Sequence, residues 1–525
     1  MRVLVIGNIA SVHIYNFIRY TIFEMPVDEV VLFNTNVNDV RGQTNYIEYY
    51  QKNNVRLFAV SGYFENLASG YAELKNIGHF DVCHIHFLDR PAILIGKLIA
   101  RYCNVIIANY WGSDWLRADG RLKCLQEELL NISDYIVSDS RQICCQLKDY
   151  YAGKFDSLIR FARFNVPVIE LICRNKVDEN RKEQFRQKYT IPKSRLIITA
   201  GYNGGTAHQH LRIIDAIGKI SHELKSSVFI IIPASYGLTE PYLVQLQNNL
   251  KQLDVPFLII KDYLSDLDVA CLRCITDIFI NMQTTDAYSN TILEYSYLNK
   301  CVINGEWLNY TDLEKAGAFY EKIDSFESLP DVLSKILKCF EKETQKFKNN
   351  SLAVERYQYE NSKLEIWSEM YFKSNPVDET QQYRKNVISE KCKDSLNDTL
   401  KSYYLKEMLC ILKLEEQIGA WVVKKALKSL VIYGAGDIGC ILYRQFENKG
   451  IDQLYVADRS VQNVGWFPLP VLSIQDLSVV RPDAIVITPL VETIEIKEQL
   501  SAQVQSAVYT FYEWLDEIRF GGKNG

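Results

Sequence analysis

The chain has 525 residues, so at roughly 100–200 residues per domain it should form two to four domains. Hydrophobic residues make up 48% and charged residues 23%, which is typical of globular proteins and excludes the disordered, collagen-like and disulfide-scaffold classes. With 59 Lys plus Arg against 64 Asp plus Glu, the net charge is −5, and no global positive field is available to hold nucleic acid.

The chain opens with MRVLVIGNIASVH, which predicts a strand and a turn rather than a cleavable secretory signal. No run approaches the ~18 consecutive apolar residues of a membrane-spanning helix, so any contact with a membrane would be peripheral. The 13 cysteines are scattered and odd in number, which favours reduced thiols. We therefore expect a cytoplasmic protein whose only membrane contact would be peripheral, at the inner face.

Short β-branched runs alternate with helical stretches, the pattern of parallel sheets that helices cover on both faces. The first block of predicted strands lies at 2–7, 29–35, 55–60, 80–87, 104–112 and 134–140. The second block lies at 195–202, 228–236, 256–263, 277–283 and 301–307. The charged segment 174–195 connects the two blocks, and the pattern turns helical from Trp307 to about residue 373.

A third block follows the polar stretch 374–399, which is predicted to be exposed. Its strands begin at Ser429, Gln453 and Asp483, and it ends near the segment VYTFYEWL. The fold class is therefore α/β, with two tandem Rossmann-like domains and a third, smaller Rossmann-like domain. We place the domains at 1–168, at 169–373 with a final helix that crosses back to the first domain, and at 428–525, with a linker or helical segment at 374–427.

Polar residues follow the strands of the first block, at the edge where ligands bind in such sheets. Gly7-Asn8-Ile-Ala-Ser11-Val-His13 predicts a strand, a turn and the start of a helix, whose free N–H groups suit an anionic or hydroxyl-bearing ligand. Alternatively, Ser11 only caps the helix, and His13 packs or faces solvent. Two further strand ends read Asp81-Val-Cys-His84-Ile-His86 and Tyr110-Trp-Gly112-Ser113-Asp114.

The second block contains two candidate ligand-binding segments. Ala200-Gly201-Tyr202-Asn203-Gly204-Gly205-Thr206-Ala-His208-Gln-His210 follows a strand and opens an amphipathic helix. Glycines let the backbone approach a phosphate, and the helix end supplies partial positive charge. Asp286-Ala-Tyr-Ser289-Asn290-Thr291-Ile-Leu-Glu294 places two carboxylates eight residues apart around a helix start. By spacing alone, a capped helix with two solvated carboxylates is the simpler interpretation.

Over about residues 1–345 these motifs resemble the GT-B glycosyltransferases, in particular the large retaining family that builds bacterial surface polysaccharides from nucleotide sugars. The order of strand, Asp-x7-Glu, helix and strand is similar to the family's Glu-x7-Glu motif, with Asp in the first place. The resemblance implies that Glu294 holds the donor ribose, for which a carboxylate is suited because it accepts two hydrogen bonds. The implied donor-binding residues are Asn203, Gly204, Gly205, Thr206, His208, Asp286, Ser289, Asn290, Thr291 and Glu294.

The resemblance also implies an acceptor side on the first block, with Asp114 and His13 as catalytic residues. Many members of the family carry the motif His-Gly-x-Asp at this strand end. Here the motif reads Trp111-Gly112-Ser113-Asp114, so Trp111 takes the place of the His. The acceptor-side residues are Asn8, Ser11, Gly112 and Ser113. The family's Arg and Lys that neutralise the donor diphosphate are not both found, and the candidates to replace them are His208 or His210, with Arg160 or Arg163.

The implied reaction transfers a sugar from a nucleotide-sugar donor to a saccharide or lipid-linked acceptor in cell-surface polysaccharide assembly, with retention and without a cofactor. The loop GYNGGTAHQH also resembles transferases that add amino-fucose to lipid-linked intermediates, so an inverting reaction with Asp114 as general base is an alternative. Asp266-Leu-Asp268 looks like the Asp-x-Asp of metal-dependent transferases, but Ser265 before it predicts a capped helix with both carboxylates in its first turn. We therefore predict no catalytic metal.

The third block contains Gly434-Ala-Gly436-Asp-Ile-Gly439 between a strand and a helix, with Asp458 at the end of the next strand, 24 residues after Gly434. This is the dinucleotide-binding pattern, so NAD or another nucleotide is the candidate ligand. With Pro468-Leu-Pro470, the block also resembles small nucleotide- or sugar-binding domains of sugar-modifying enzymes. An NAD(P)-dependent sugar-modifying oxidoreductase and a non-catalytic sugar-nucleotide-binding protein are the two alternatives to a transferase.

Overall fold

Three parallel β-sheets, each covered by helices, form the framework of the protein. The computed structural model describes residues 1–35, 44–58, 74, 78–163, 166–174, 176–361, 364–372, 379–409, 414–459, 471–491 and 493–520. Within these ranges all of the strand pairings are parallel. The prediction of an α/β fold with two Rossmann-like units and a third, smaller one is confirmed.

The first sheet has the strand order β3-β2-β1-β4-β5-β6-β7. Its strands are β1 Arg2–Gly7, β2 Glu29–Asn34, β3 Arg56–Phe58, β4 Phe80–His86, β5 Cys103–Tyr110, β6 Tyr135–Ser138 and β7 Ile159–Phe161. Its helices are α1 Val12–Tyr20, α2 Thr44–Lys52, α3 Arg90–Ile99, α4 Ser113–Leu116, α5 Gly120–Leu130 and α6 Arg141–Tyr150, with 3-10 turns at Ile22–Glu24 and Ala100–Tyr102. The central strands are almost continuously apolar because helices bury both faces of the sheet.

The second sheet has the order β10-β9-β8-β11-β12-β13. Its strands are β8 Leu196–Ala200, β9 Val228–Pro233, β10 Phe257–Ile260, β11 Ile278–Asn281, β12 Cys301–Gly305 and β13 Glu321–Ile323. The accompanying helices are α7 Pro167–Cys173, α8 Glu179–Lys188, α9 His210–Gly218, α10 His222–Ser226, α11 Glu240–Gln252, α12 Asp266–Ile275, α13 Asn290–Tyr297, α14 Thr311–Lys315, α15 Leu329–Lys338 and α16 Phe340–Thr344. Two 3-10 turns span Thr206–His208 and Gln345–Phe347.

Two helices then lead back toward the first sheet, α17 Asn350–Asn361 and α18 Leu364–Phe372. Trp367, Met370 and Tyr371 on α18 are buried in the hydrophobic core under β1 and β2. The hydroxyl of Tyr371 lies 2.7 Å from Nδ1 of His84, on β4. The segment that was expected to cross back therefore packs on the first sheet.

The polar stretch after this crossing was expected to be exposed, within a linker or helical segment. From residue 379 onward most of its described residues are exposed or half-buried, but Lys385, Ser389 and Cys392 are buried, which corrects the expectation at these positions. The stretch forms a long helix, α19 Glu379–Leu409, followed by α20 Leu414–Lys424, whereas residues 374–378 and 410–413 lie outside the described residues. The buried ammonium group of Lys385 donates to the carbonyls of Cys103 and Asn104 and pairs with Asp134 at 3.2 Å. The helix docks through these polar groups as well as through buried apolar side chains such as Cys392 and Met408, and hydrophobic patterning does not reveal the polar contacts.

The third sheet has the order β16-β15-β14-β17-β18. Its strands are β14 Ser429–Tyr433, β15 Gln453–Ala457, β16 Val471–Leu472, β17 Ala484–Ile487 and β18 Ala507–Thr510. Its helices are α21 Asp437–Phe446, α22 Leu477–Val480, α23 Thr493–Gln503 and α24 Phe511–Phe520. One hydrophobic core runs from the first sheet through Cys392 and Met408 into this unit. The predicted Pro468-Leu-Pro470 motif lies outside the described residues.

Each predicted strand overlaps an observed one, but four short strands were not predicted as strands: β7, β13, β16 and β18. All four lie at the edges of their sheets, and β13 interrupts the segment that was expected to be helical after Trp307. The predicted domain boundaries stay predictions, and those at 373/374 and 525 fall outside the described residues. Among the helices in the described ranges, none combines the length and the apolar character that crossing a bilayer requires.

Candidate functional site

A cleft opens between the first and second sheets, at the edge where the central strands of both sheets end. Its volume of about 470 Å³ is within the range of small-molecule sites. Its walls are the loops after β1, β2, β4 and β5 on one side and after β8, β9 and β11 on the other. In each sheet the strand order reverses beside its first strand, where open parallel sheets bind ligands, so the two switch points share one cavity.

The structure brings part of each predicted half-site into this cleft. The predicted residues that line it are Asn8, Ser11, His13, Ser113, Asn203, Gly205, His208 and Asp286. The predicted residues that are not among its lining residues are Gly112, Asp114, Gly204, Thr206, Ser289, Asn290, Thr291 and Glu294. The predicted roles of all of these residues stay predictions.

The turn after β1 presents His13 to the cleft. The Oγ of Ser11 accepts the N–H of His13 at 3.2 Å, which caps α1 and fixes where the helix begins. The imidazole ring lies edge-on to Trp111, with the ring centroids 4.9 Å apart. The imidazole is exposed at the cleft, and the protein around it lowers its pKa below the ordinary value of 6.5. His13 is therefore neutral at pH 7, with one N–H donor and one acceptor nitrogen.

Two histidines on β4, separated by one residue, have different surroundings. His84 is covered by α18 and lies against Tyr371, whereas His86, although fully buried, forms part of the cleft wall. The side-chain amide of Asn109 lies 3.3 Å from Nδ1 of His86, and Nε2 of His86 has no partner among the residues that the structure describes. Burial lowers the pKa of His86 to about 3, so it is uncharged at pH 7.

Asp114 holds the loops after β4 and β5 together. It is 3% exposed, and its carboxylate accepts the backbone N–H groups of Leu88 at 2.9 Å, Trp111 at 3.0 Å and Gly112 at 2.8 Å. Burial raises the pKa of this carboxyl to about 6, although the N–H bonds oppose the shift. With both oxygens engaged, the geometry supports a positioning role for Asp114 rather than contact with a reacting sugar.

Gly112 allows the two walls of the cleft to touch. It has φ 124°, a conformation that glycine adopts without strain, and a Cβ at this position would lie only 2.2 Å from the Cβ of Ala287 on the opposite wall. Any larger residue would push the loop after β5 away from the loop after β11. Gly112 is therefore required by the close approach of the walls.

Asp89 lines the cleft, although the sequence did not single it out. Its Oδ1 accepts the N–H of Ala92 at 3.0 Å at the start of α3, and burial raises its pKa to about 6. An Asp directly before Arg-Pro and an apolar helix is the ordinary signature of a helix cap, so the local pattern has a complete structural explanation. Only the position of Asp89 close after β4 indicates the cleft.

The arginine that lines the cleft is Arg117, which the sequence did not single out, and not Arg160 or Arg163, which it suggested. Arg163 is 2% exposed and donates to the carbonyl of Asp139 and to Oδ1 of Asn290, and Arg160 is exposed and donates to neighbouring backbone carbonyls. Neither lines the cleft. Arg117, seven residues after the end of β5, does line it.

The glycine-rich loop after β8 forms the opposite wall. Oδ1 of Asn203 accepts the N–H of Gly205 at 2.8 Å, which closes the turn. A Cβ on Gly204 would lie 2.6 Å from the Cβ of Leu238, so this glycine is needed for packing. His208 is 2% exposed, burial lowers its pKa to about 3, and its Nδ1 has no partner within the described part of the chain. The loop thus offers neutral polar groups to the cavity.

Asp286 is the one member of the predicted Asp-x7-Glu motif that reaches the cleft. The Tyr310 hydroxyl donates to its Oδ2, the N–H of Tyr288 donates to its Oδ1 at 3.3 Å, and burial raises the pKa of the carboxyl. Tyr288 has φ 119°, an unfavourable conformation for a residue with a side chain. The Tyr288 ring stacks on Tyr357 at 5.1 Å, which helps to hold the loop in this conformation.

Glu294 lies on α13 with its side chain buried, and it is not one of the residues that line the cleft. Nε of Arg273, on α12, donates to its Oε2 at 2.7 Å. The rest of the predicted turn is also engaged, since Oγ of Ser289 caps α13 and Oγ1 of Thr291 accepts from Arg273. A ribose could reach Glu294 only after rearrangement of this buried pair.

The apparent Asp-x-Asp motif begins α12. Oγ of Ser265 accepts the N–H of Asp268 at 3.1 Å, and both Asp266 and Asp268 lie in the first helical turn, where negative charge is favourable. This is the arrangement that the sequence predicted for the motif. Among the described residues, no group of three or more His, Cys, Asp or Glu side chains has the arrangement of a metal site.

In the third unit, a glycine turn follows β14 at the point where the strand order of that sheet reverses. Gly434 has φ 109°, and a Cβ on Gly439 would lie 1.9 Å from the carbonyl oxygen of Gly434, so the turn packs directly on the first turn of α21. A Cβ on Gly436 would meet nothing within 4 Å. Asp458 accepts the N–H of Ala435 at 2.8 Å. Nucleotide binding by this turn stays a prediction.

No protein-family model matches the sequence, and no curated protein matches it. Solved structures are similar in fold. A glycosyltransferase from Rickettsia africae is 15% identical, with a TM-score of 0.52 over 71% of this chain and 99% of its own. HepE of Anabaena, in complex with UDP and glucose, is 14% identical, with a TM-score of 0.51 over 76% of this chain and 100% of its own.

A third structure, the UDP-forming α,α-trehalose-phosphate synthase of Burkholderia xenovorans, is 12% identical with a TM-score of 0.51 and covers 71% of this chain and 99% of its own. The structural similarity establishes the fold, but at identities this low it leaves the activity open. The first two sheets and the cleft between them have the architecture of the GT-B glycosyltransferases. The predicted resemblance to GT-B proteins is therefore confirmed at the level of fold.

Proposed function

We propose that the protein is a glycosyltransferase that moves a sugar from a nucleotide-sugar donor to a saccharide or lipid-linked acceptor in the assembly of cell-surface glycans. The observation that carries this proposal is the cleft of about 470 Å³, in which Asp89 and Asp286 belong to opposite walls at the switch points of the two sheets. Carboxylates accept hydrogen bonds from sugar hydroxyls, so both walls are suited to a carbohydrate. HepE, which shares the fold, was solved with UDP and glucose.

In this proposal the donor binds the second sheet's wall. Asn203, Gly205 and His208 contact the diphosphate or the sugar with neutral donors, and Asp286 accepts from a sugar hydroxyl. Gly204 and Thr206 shape the same loop, and Ser289, Asn290 and Thr291 fix the start of α13 behind it. A ribose contact by Glu294 is part of the proposal only with the rearrangement described above.

The acceptor binds the first sheet's wall. Asn8, Ser11 and Ser113 offer hydroxyl and amide groups there, and neutral His13 can orient an acceptor hydroxyl. Transfer with retention and without a metal follows the resemblance of the sequence. For inversion, Asp89 is better placed than Asp114 to act as a base, because it lines the cavity. A lipid-linked acceptor would bring the protein to the inner face of the membrane as a peripheral protein.

The glycine turn of the third unit supports a second nucleotide site in the proposal. The open space beside Gly436 leaves room for a phosphate near the start of α21. NAD or a nucleotide sugar is the ligand to test. Hydride transfer by this unit would support the oxidoreductase alternative.

The test is thermal stabilisation by UDP, GDP, TDP, CMP and their sugars, followed by nucleotide release and by NMR of the product's anomeric proton. We expect one sugar nucleotide to stabilise the wild type. The same sugar nucleotide should be turned over when a cell extract that contains saccharide or lipid-linked acceptors is added. Asp286→Asn should lose most of the turnover, whereas Asp254→Asn, an exposed control outside the cleft, should not. Binding without hydrolysis or transfer would support the non-catalytic alternative, and the absence of any binding would contradict the proposal.

A further inference from the structure

A nucleotide-sugar donor would bring negative charge into a cleft that already holds carboxylates, so its diphosphate needs a positively charged side chain. A nucleoside diphosphate sugar carries two negative charges, and the cleft wall adds the carboxylates of Asp89 and Asp286. The buried His86 and His208 supply no compensating charge, because burial lowers their pKa values to about 3. His13 is exposed, but the surrounding protein lowers its pKa below the ordinary value of 6.5, so it is also neutral at pH 7. Among the described lining residues, Arg117 is the only lysine or arginine.

Arg117 extends from the first wall to the second. It ends the short helix α4, and its Nε donates to Oγ1 of Thr285 at 3.0 Å, with Nη2 3.5 Å from the Thr285 carbonyl. Thr285 immediately precedes Asp286. Arg117 and His208 both line the cleft, and the positive charge of Arg117 adds to the effect of burial in lowering the pKa of His208. The cation therefore lies between the two segments that the proposed donor site uses.

The guanidinium has donors left for an anion. The two bonds to Thr285 use two of its five N–H groups, and the side chain is exposed. Arginine binds phosphate oxygens through a planar fork of parallel N–H groups, and charged hydrogen bonds of this kind are stronger than neutral ones. Arg160 and Arg163, the cations favoured by the sequence, are engaged elsewhere and do not line the cavity.

We propose that Arg117 is the diphosphate-binding cation of this cleft, supplied by the first sheet's wall to a donor that is held on the second. This inference rests on the proposed function. It also implies that donor binding draws the two walls together, because the phosphates would be bonded from both sides. A purely structural alternative is that Arg117 only clasps Thr285, and this alternative predicts no preference for charged ligands.

The experiment compares the wild type with Arg117→Gln and Arg117→Lys, and with Arg121→Gln as a matched control, since Arg121 is exposed on the next helix and does not line the cleft. Affinities for UDP, GDP and TDP are measured by calorimetry at 50 and 300 mM salt. Binding of the corresponding nucleosides is measured by saturation-transfer NMR.

For the diphosphate that binds the wild type, we expect Arg117→Gln to weaken affinity about tenfold or more and to reduce its dependence on salt. Nucleoside binding should change less than twofold, Arg117→Lys should retain part of the affinity, and Arg121→Gln should match the wild type. Equal weakening of diphosphate and nucleoside, or no weakening of either, would overturn the role of Arg117 alone. If no diphosphate binds the wild type, the proposed function fails, and this inference fails with it.

Discussion

Arg273 and Glu294 form a buried ion pair, with Nε of the guanidinium 2.7 Å from Oε2 of the carboxylate and side chains that are 7% and 8% exposed. The other guanidinium nitrogens donate to the Tyr295 hydroxyl at 3.2 Å and to Oγ1 of Thr291 at 3.3 Å. The pair fixes α13 to α12 directly behind the Asp286 loop. It therefore supports the cleft from beneath whether or not Glu294 touches a ligand.

Replacing one partner of this pair should destabilise the protein strongly. Glu294→Ala leaves the Arg273 guanidinium buried without its counter-charge, a situation that costs about 3–5 kcal/mol. We expect a loss of this size in the free energy of unfolding, measured by urea denaturation. A loss below about 1 kcal/mol would show that the pair is hydrated or rearranged in solution.

The double variant Arg273→Met with Glu294→Leu separates folding from ligand binding. Because it removes both charges and fills the space with apolar side chains, most of the lost stability should return. Donor affinity of this variant then tests the predicted ribose contact of Glu294. A tenfold loss would support that contact, whereas an unchanged value would assign Glu294 to the core alone.

Asp114→Asn should also destabilise the fold. An amide has one acceptor oxygen, and its NH2 group would face backbone N–H groups that now donate to the carboxylate. Leaving such buried donors without an acceptor costs about 1–3 kcal/mol, which denaturation at pH 7 should reveal. Asp119→Asn is the matched control, because Asp119 is an exposed helix cap and Asn caps equally well. Equal effects of the two substitutions would contradict the proposed role of Asp114.

Donor affinity should fall as the pH rises from 5 to 7. Asp89 has its pKa raised to about 6, so it is largely neutral at pH 5 and negative at pH 7, where it repels the diphosphate. The buried histidines of the cleft, His86 and His208, stay neutral throughout, since their pKa values are about 3. We expect roughly a threefold to tenfold loss for a sugar nucleotide, whose own charge is constant in this range.

Calorimetry at several pH values checks this expectation, with Asp89→Asn as the comparison. The variant should bind more tightly than the wild type at pH 7 and should lose the part of the pH dependence that Asp89 causes. If both proteins show the same pH profile, the carboxyl group of Asp89 does not interact with the donor.

Two glycines of the turn in the third unit, Gly436 and Gly439, should respond differently to substitution. Gly439→Ala places a Cβ 1.9 Å from a backbone carbonyl oxygen and should destabilise this unit by about 1–3 kcal/mol. Gly436→Trp meets open space, so thermal unfolding should change little. Stabilisation by NAD or a sugar nucleotide, where observed, should vanish in Gly436→Trp. If that ligand still stabilises the variant, it binds elsewhere.

The central strands could be predicted because they carry strong patterns: continuous apolar runs of four to eight residues followed by turn residues. The edge strands β7, β13 and β16 have only two or three residues, too few for any periodicity to show. The docking of α19 could not be predicted either, because Lys385 and Ser389 are held by backbone carbonyls of the first sheet and its helices. Such partners exist only in the folded chain.

The candidate site was predictable to a similar degree. Loops after strands indicated the cleft, because parallel sheets bring such loops to one edge. Arg117 and Asp89 carry no distinctive local motif, since one ends a short helix and the other begins one. For Glu294, the deciding partner lies 21 residues away on a neighbouring helix. Each of these positions depends on which elements meet in space, and this is not encoded in local spacing.

The docking of α19 has a mechanical consequence for the whole molecule. Lys385 fastens the beginning of this helix to the first sheet, and its end reaches the third unit, where Lys401 lies 3.7 Å from Asp437. The shared core that runs through Cys392 and Met408 makes the same connection. When the cleft opens, the first and third units should travel as one body. A ligand that stiffens the third unit would then act directly on the acceptor wall and would reach the donor wall through contacts such as that of Arg117 with Thr285.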